Sequence, residues 1–284
     1  MARELLVGAH MSIAGGIHNA FADAERAGCA ALQIFLKNSN QWKGKPLTEE
    51  DRALYSQARK RSGNIPVVAH TSYLINLASP DLPLYEKSLR AFIEEMERAN
   101  FLGVPCVVLH PGAHMGAGEA AGIARVAAAL NRALDKTPGP VEILLENTAG
   151  QGSCLGHRFE HLAAMIEKIR DQERIGICLD TCHLFAAGYD IRTEKDYKKT
   201  IRELNRLIGT GRVRVFHVND CKKDLGCRVD RHMHIGKGFI GLEAFRCLMN
   251  DRRFAKVPKI LETPKGKDLK EDRMNLATLR SLVR

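Results

Sequence analysis

The sequence predicts a single parallel α/β barrel, a (β/α)8 TIM-type barrel spanning residues 1–284, and three observations carry that reading. Eight short apolar runs alternate with eight segments of helical periodicity along 284 residues. The runs are continuously apolar, which suits strands covered on both faces, and parallel neighbours need helical crossovers between them. No G-x-G-x-x-G follows the first run, which weakens the runner-up, an open doubly wound dinucleotide-binding sheet.

The elements follow in order. "ELLVGAH" is the first strand and a helix is expected near 17–27; "ALQIFLKN" is the second, with a helix near 49–61. "IPVVAH" leads into the clearest helix, 84–100, where Tyr85, Leu89, Phe92, Ile93 and Met96 share one face and Glu97 and Arg98 the other. "CVVLHP", "VEILLEN" and "IGICLD" are followed by helices near 119–134, 158–170 and 194–208; "VRVFHVND" and "KILETP" by helices near 241–250 and 269–283. No Pro/Gly-rich linker or low-complexity tract divides the chain, and the run "KGKDLKEDR" reads as a solvated loop and helix start.

Composition narrows the function classes. Lys and Arg number 43 against 33 Asp and Glu, a formal charge of +10, which suits an anionic partner such as nucleic acid, though charge alone leaves a merely basic soluble enzyme an equal reading. The eight cysteines are scattered without a C-x-x-C pair, so a reduced, cytoplasmic setting is expected. "MARELLVGAH" lacks the apolar stretch of a signal peptide, and no segment approaches the apolar length of a membrane span.

The strand ends are where chemistry gathers. His10, His70, His110, Glu146, Asp180, His217 and Glu262 close strands, and in such a barrel those carboxyl ends converge on one face. A single strand-end histidine is ordinarily a hydrogen-bonded rim residue; a ring of them is not. Five imidazoles (His70, His110, His183, His217, His232) and four carboxylates (Glu146, Asp180, Asp230, Glu262) form a nitrogen/oxygen set suited to zinc or manganese, and exceed the needs of one ion. In "ICLDTCHLFAAGYD", Asp180 and His183 are three apart on the turn leaving the strand, so both face one side. Cys178 lies one pleat below the rim and is read, with Cys182, as a small buried hydrophobe, the alternative being a thiolate metal site.

The motifs "GAHMSIAGG", "HTSYLINLA", "HPGAH", "LENTAGQGS", "DTCHLFAAGYD", "FHVND", "DRH" and "LETP" run nearly end to end. In them the chain resembles the endonuclease IV family of apurinic/apyrimidinic-site endonucleases. The resemblance implies three zinc ions, with manganese possible at one position: His70, His110 and Glu146 at the first, Glu146, Asp180, His217 and Glu262 at the second, His183, Asp230 and His232 at the third. It implies cleavage of duplex DNA 5′ to an abasic site, leaving a 3′-hydroxyl and a 5′ sugar phosphate, with 3′-end cleaning besides. Glu146 and Glu262 are the catalytic carboxylates, Glu262 orienting or deprotonating the attacking hydroxide.

For DNA contact, Tyr73 and Leu74 form an aromatic–aliphatic pair suited to wedge into the gap left by a flipped residue. Asn40 stands where many relatives carry an arginine, and His10 faces substrate or supports a ligand from behind. Cys221 and Cys227 replace small or hydroxylated residues; His18, His114, His157, His161 and His234 stand outside the set, His161 read as structural and His114 and His234, which flank motifs, as structural ahead of substrate contacts. A monomer is expected. The competing readings are a sugar isomerase or epimerase on a similar barrel, which has no use for the third ligand group in "DRH", and a non-catalytic DNA-binding barrel, which would have lost ligands.

Overall fold

The computed structural model describes residues 5–284; of the expected first strand, Glu4 falls outside the described residues. Eight parallel strands close into a barrel: β1 (Val7–His10), β2 (Ala31–Phe35), β3 (Val67–His70), β4 (Cys106–Leu109), β5 (Glu142–Glu146), β6 (Ile175–Asp180), β7 (Val213–His217) and β10 (Lys259–Leu261). Each pairs with its sequence neighbours, and β1 closes the ring on β10 through Val7↔Lys259 and Ala9↔Leu261. Two short strands, β8 (Asp220–Cys221) and β9 (His232–Met233), form an antiparallel hairpin above β7.

The helices α1 (Asn19–Ala27), α2 (Glu49–Arg61), α3 (Leu82–Leu102), α4 (Glu119–Lys136), α5 (Phe159–Glu167), α7 (Glu194–Leu207), α8 (Leu242–Asn250) and α9 (Lys270–Ser281) follow the barrel strands in turn. The one-turn-plus α6 (Thr181–Ala187) sits at the rim directly after β6. Local chemistry sets their ends: Thr48 and Asp51 make a reciprocal capping box for α2, Asp81 caps α3 with Pro83 in its first turn, and Gly103 ends it in the left-handed conformation. These caps lengthen α3 beyond the expected 84–100.

The interior divides in two. Ala31, Val68, Cys106, Val108, Leu144, Cys178, Val215 and Ile260 fill the barrel as a cluster of their own, while the larger core lies between strands and helices. Cys178 thus packs inside the barrel, as its position one pleat below Asp180 predicts. Strand spacing is unforgiving at Gly8: a Cβ there would sit 1.7 Å from the Ala31 carbonyl oxygen, so only glycine lets β1 approach β2. Among the described residues, no helix is long and apolar enough to cross a membrane.

Candidate metal centre

The carboxyl ends of the strands deliver the polar ring to one place. His70 ends β3, His110 follows β4, Glu146 ends β5, Asp180 ends β6, His217 ends β7 and Glu262 follows β10, while α6 adds His183 and the β8–β9 hairpin adds Asp230 and His232.

Glu146, fully buried, is the hub. Its Oε2 lies 3.2 Å from His70 Nε2 and 3.0 Å from His110 Nε2; its Oε1 lies 2.8 Å from His217 Nδ1 and 3.4 Å from His183 Nδ1. The same His217 Nδ1 stands 3.2 Å from Glu262 Oε2 and 4.0 Å from Asp180 Oδ2. On the outer side, Asp230 places one oxygen 3.2 Å from His183 Nε2 and the other 3.2 Å from His232 Nε2, which is also 3.6 Å from Asp180 Oδ2. The groupings that the resemblance implies are therefore neighbours in space. His70, His110 and Glu146 form one set of donor atoms close enough to share an ion, and His183, Asp230 and His232 form another.

The ring nitrogens show that the set fits metal ions. His70 Nδ1 bonds the Thr71 carbonyl at 2.8 Å, His183 Nδ1 the Asn147 carbonyl at 2.9 Å and His232 Nδ1 the Glu262 carbonyl at 3.1 Å. Each carbonyl fixes the proton on that nitrogen and frees the other to ligate, the arrangement metal-bound histidines use. His183 Nε2 and His232 Nε2 are buried ring nitrogens without a hydrogen-bond partner, and an orphaned buried nitrogen needs a reason. A cation between them and Asp230 supplies one.

Electrostatics agree. Burial opposes charge on Glu146, but the His217 and His110 imidazoles outweigh it and hold the carboxyl well below its usual range. Glu262 is held low in the same way, against burial, by the charges of His217 and His70. Asp230 is likewise depressed, burial being overcome by His183 and His232. The thiols behave differently: burial pushes Cys178 up to about 12, and a hydrogen bond to Cys221, with burial, raises Cys182. Both sulfurs lie near carboxylate–imidazole pairs, but Cys178 belongs to the apolar cluster inside the barrel, which favours the carboxylate–imidazole reading there.

The residues expected at the DNA sit on the surrounding loops. Tyr73 is 63% exposed, its ring 5.5 Å from Phe35 and 5.7 Å from His70; Leu74 beside it is half-buried. A cavity lined by Tyr73, His110, Gln151, His183 and Asp230 opens next to the ligand ring. Asn40 is exposed on the β2 loop, which the Ser72 hydroxyl ties to the Tyr73 loop by a 2.5 Å bond to the Ser39 carbonyl. His10 lies at the edge of the ring, 3.5 Å from Glu262.

Three residues that sequence reasoning passed over hold the ring from behind. Asn147 accepts the Asp180 N–H at 2.7 Å; Asn219 donates to Asp180 Oδ2 at 2.7 Å and accepts the Glu262 N–H at 2.8 Å. Gln33 donates to Glu262 at 2.6 Å. The available signal was polarity in the wrong place: Gln33 interrupts the apolar run "ALQIF", and a fully buried amide must find partners.

Comparison with known proteins places this geometry. A family model described as a xylose isomerase-like TIM barrel matches residues 21–281. Proteins named "Probable endonuclease 4" from Chloroflexus aurantiacus and Geobacter sulfurreducens are 58% and 55% identical, over 97% and 98% of this chain and 97% and 94% of their own lengths. The crystal structure of endonuclease IV from Thermus thermophilus superposes with a TM-score of 0.86 at 37% identity, covering 97% of this chain and 98% of that one. A D-tagatose 3-epimerase-like protein matches at a TM-score of 0.72 but 17% identity, a likeness of fold alone. With identity above one half along nearly the whole length of both chains, the chain belongs to the endonuclease IV family.

Proposed function

We propose that residues 1–284 act as one unit, a DNA-repair nuclease that hydrolyses the phosphodiester 5′ to abasic sites in duplex DNA, leaving a 3′-hydroxyl and a 5′ deoxyribose phosphate, and that also cleans blocked 3′ ends. The observation that carries it is the pair of orphaned nitrogens, His183 Nε2 and His232 Nε2, facing Asp230 beside the Glu146 hub. Three sites of imidazole and carboxylate suit zinc, with manganese able to take one position. Ions held there supply positive charge and Lewis acidity against a phosphodiester anion and make water acidic at neutral pH.

The chain's own groups do the rest. His70, His110 and Glu146 would hold one ion, Glu146, Asp180, His217 and Glu262 a second, and His183, Asp230 and His232 the third. Glu262, ionised and fixed by the Gln33 amide, is placed to orient the attacking water and take its proton. Tyr73, the exposed aromatic beside the cavity, occupies the space a flipped abasic residue vacates, with Leu74 behind it. The excess of basic residues favours the DNA backbone as partner.

The test is incubation of the purified protein with a duplex carrying one abasic site and, in parallel, with a ketose. A nick with 3′-hydroxyl and 5′ deoxyribose-phosphate ends, abolished by chelation, is expected. Ketose conversion without nicking would replace the nuclease by an epimerase.

A further inference from the structure

Gln33, a buried amide on β2, reaches three groups of the ligand ring and its edge. It is paired in register with His10 of β1. Its Nε2 lies 2.6 Å from Glu262 Oε1 and 2.9 Å from His10 Nδ1, and its Oε1 lies 2.7 Å from His217 Nε2.

The orientation of the amide follows from one atom. A carboxylate oxygen only accepts, so the group 2.6 Å from Glu262 Oε1 must be the NH2. The reverse orientation would press two oxygens together at that distance. With the NH2 so placed, its second proton points at His10 Nδ1, which must therefore accept, and the amide oxygen must receive a proton from His217 Nε2. The His10–Glu262 separation of 3.5 Å is too long to compete for the same nitrogen.

We propose that Gln33 is a positioning residue that sets the tautomers of two histidines at once. His217 keeps its proton on Nε2 and turns Nδ1 toward Glu146, Glu262 and Asp180; His10 keeps its proton on Nε2 and offers no Nδ1 proton to Glu262. The same contact fixes Glu262 Oε1, so that Oε2 is the oxygen facing His217 Nδ1. One neutral side chain thereby aligns a nitrogen ligand and a carboxylate ligand from adjacent strands without adding charge to a site already crowded with carboxylates.

The inference rests on the metal reading for one of its two readouts. The first readout is nitrogen NMR of the full chain labelled at histidine, comparing the parent with Gln33→Glu. The parent is expected to show His10 as the Nε2–H tautomer. Because a carboxyl set against Glu262 would take up a proton and could still donate, the comparison uses Gln33→Leu as well, in which nothing donates to His10 Nδ1 and the Nε2–H preference of His10 is lost. An Nδ1–H tautomer in the parent, or no change in Gln33→Leu, overturns the proposal.

The second readout is competition between the protein as isolated and a chelator, with zinc counted per chain. Gln33→Leu, close in volume and without polar atoms, is expected to loosen one ion by roughly 10–100-fold while the others keep the parent's affinity. Equal retention of every ion also overturns the proposal. Circular dichroism confirms that each variant is folded, and Gln33→Met replaces any that is not. Because the tautomers need neither DNA nor turnover, this result stands apart from whether the protein proves to be a nuclease.

Discussion

Glu262 carries the sharpest expectation at the scale of single residues. Glu262→Gln keeps the shape but removes the charge that Gln33 and His217 organise, so abasic-duplex binding should persist while turnover falls by about 10²-fold or more. Unchanged turnover with metal retained would remove Glu262 from the chemistry. His232 gives a pH test. Burial works against its charge, but the nearby Asp180 and Asp230 carboxylates raise it from 6.5 to about 9 in the absence of ions. A raised imidazole stabilises the fold fully below its unfolded value and loses that contribution as pH climbs through the folded one. Chelator-stripped protein should therefore lose thermal stability between pH 6.5 and about 9. The loaded protein, whose ligands must be neutral imidazoles, should gain over the stripped one across the same range. Melting curves of both forms at several pH values check this; parallel curves would contradict it. His70, His110, Glu146, Asp180, His217 and Glu262 stood out because histidines and acids at strand ends are conspicuous, whereas His183, Asp230 and His232 lie on other elements and were carried by the motifs around them. Asn147, Asn219 and Gln33 did not stand out, since an amide announces a role only when its neighbours are known.

Among elements, α3 does more than cover the barrel. Glu95 accepts from Lys37 Nζ at 2.6 Å and from the Ser72 N–H at 3.2 Å, and Arg98 donates to the carbonyls of Leu36 at 2.8 Å and Lys45 at 2.7 Å. One helix face thus pins both the Asn40 loop and the Tyr73 loop. Glu95→Gln leaves the buried Lys37 charge unpaired and should cost about 3 kcal/mol, whereas Lys37→Met with Glu95→Leu should cost less than either single change. Denaturant titrations compare the three; a double variant worse than both singles would show the pair to be net stabilising. The wedge is tested in the same loops: Tyr73→Ala with Leu74→Ala should weaken binding to abasic duplex far more than to intact duplex, and equal discrimination would assign recognition to the pocket alone. Sequence periodicity located every barrel strand and its helix, because each spans a covered or amphipathic stretch. It missed the β8–β9 hairpin, whose two-residue strands have no period to detect, and which nonetheless brings Asp230 and His232 inward. The hairpin is fastened by Asp220, which accepts the N–H groups of Gly238 and Ile240 at 3.0 Å each.

For the whole molecule, the charge of +10 leads to a salt prediction. Each phosphate neutralised by lysine or arginine releases a condensed counterion, so duplex affinity should fall with a log–log slope of several units, and Asn40→Arg should steepen it by about one. Filter binding across a salt series reads the slope directly; a flat line would mean that the basic surface does not meet DNA. The barrel was legible as a whole from the alternation of runs and helices, and strand-end polarity told which mouth carries the chemistry. What no single run could show was how the two ends of the chain meet.

That meeting, β1 against β10 through Val7↔Lys259, gives the site an order of assembly in time. On the ribosome the chain emerges from its N-terminus. His70, His110 and Glu146 stand on three consecutive neighbouring strands and are present together once half of the chain has been made. Glu262 follows every other ligand of the ring along the chain, and its carboxylate is aligned by Gln33, which precedes them all. The full ring therefore cannot exist in a nascent or C-terminally truncated chain. A ring that draws on both β2 and the end of β10 is complete only once the barrel is shut.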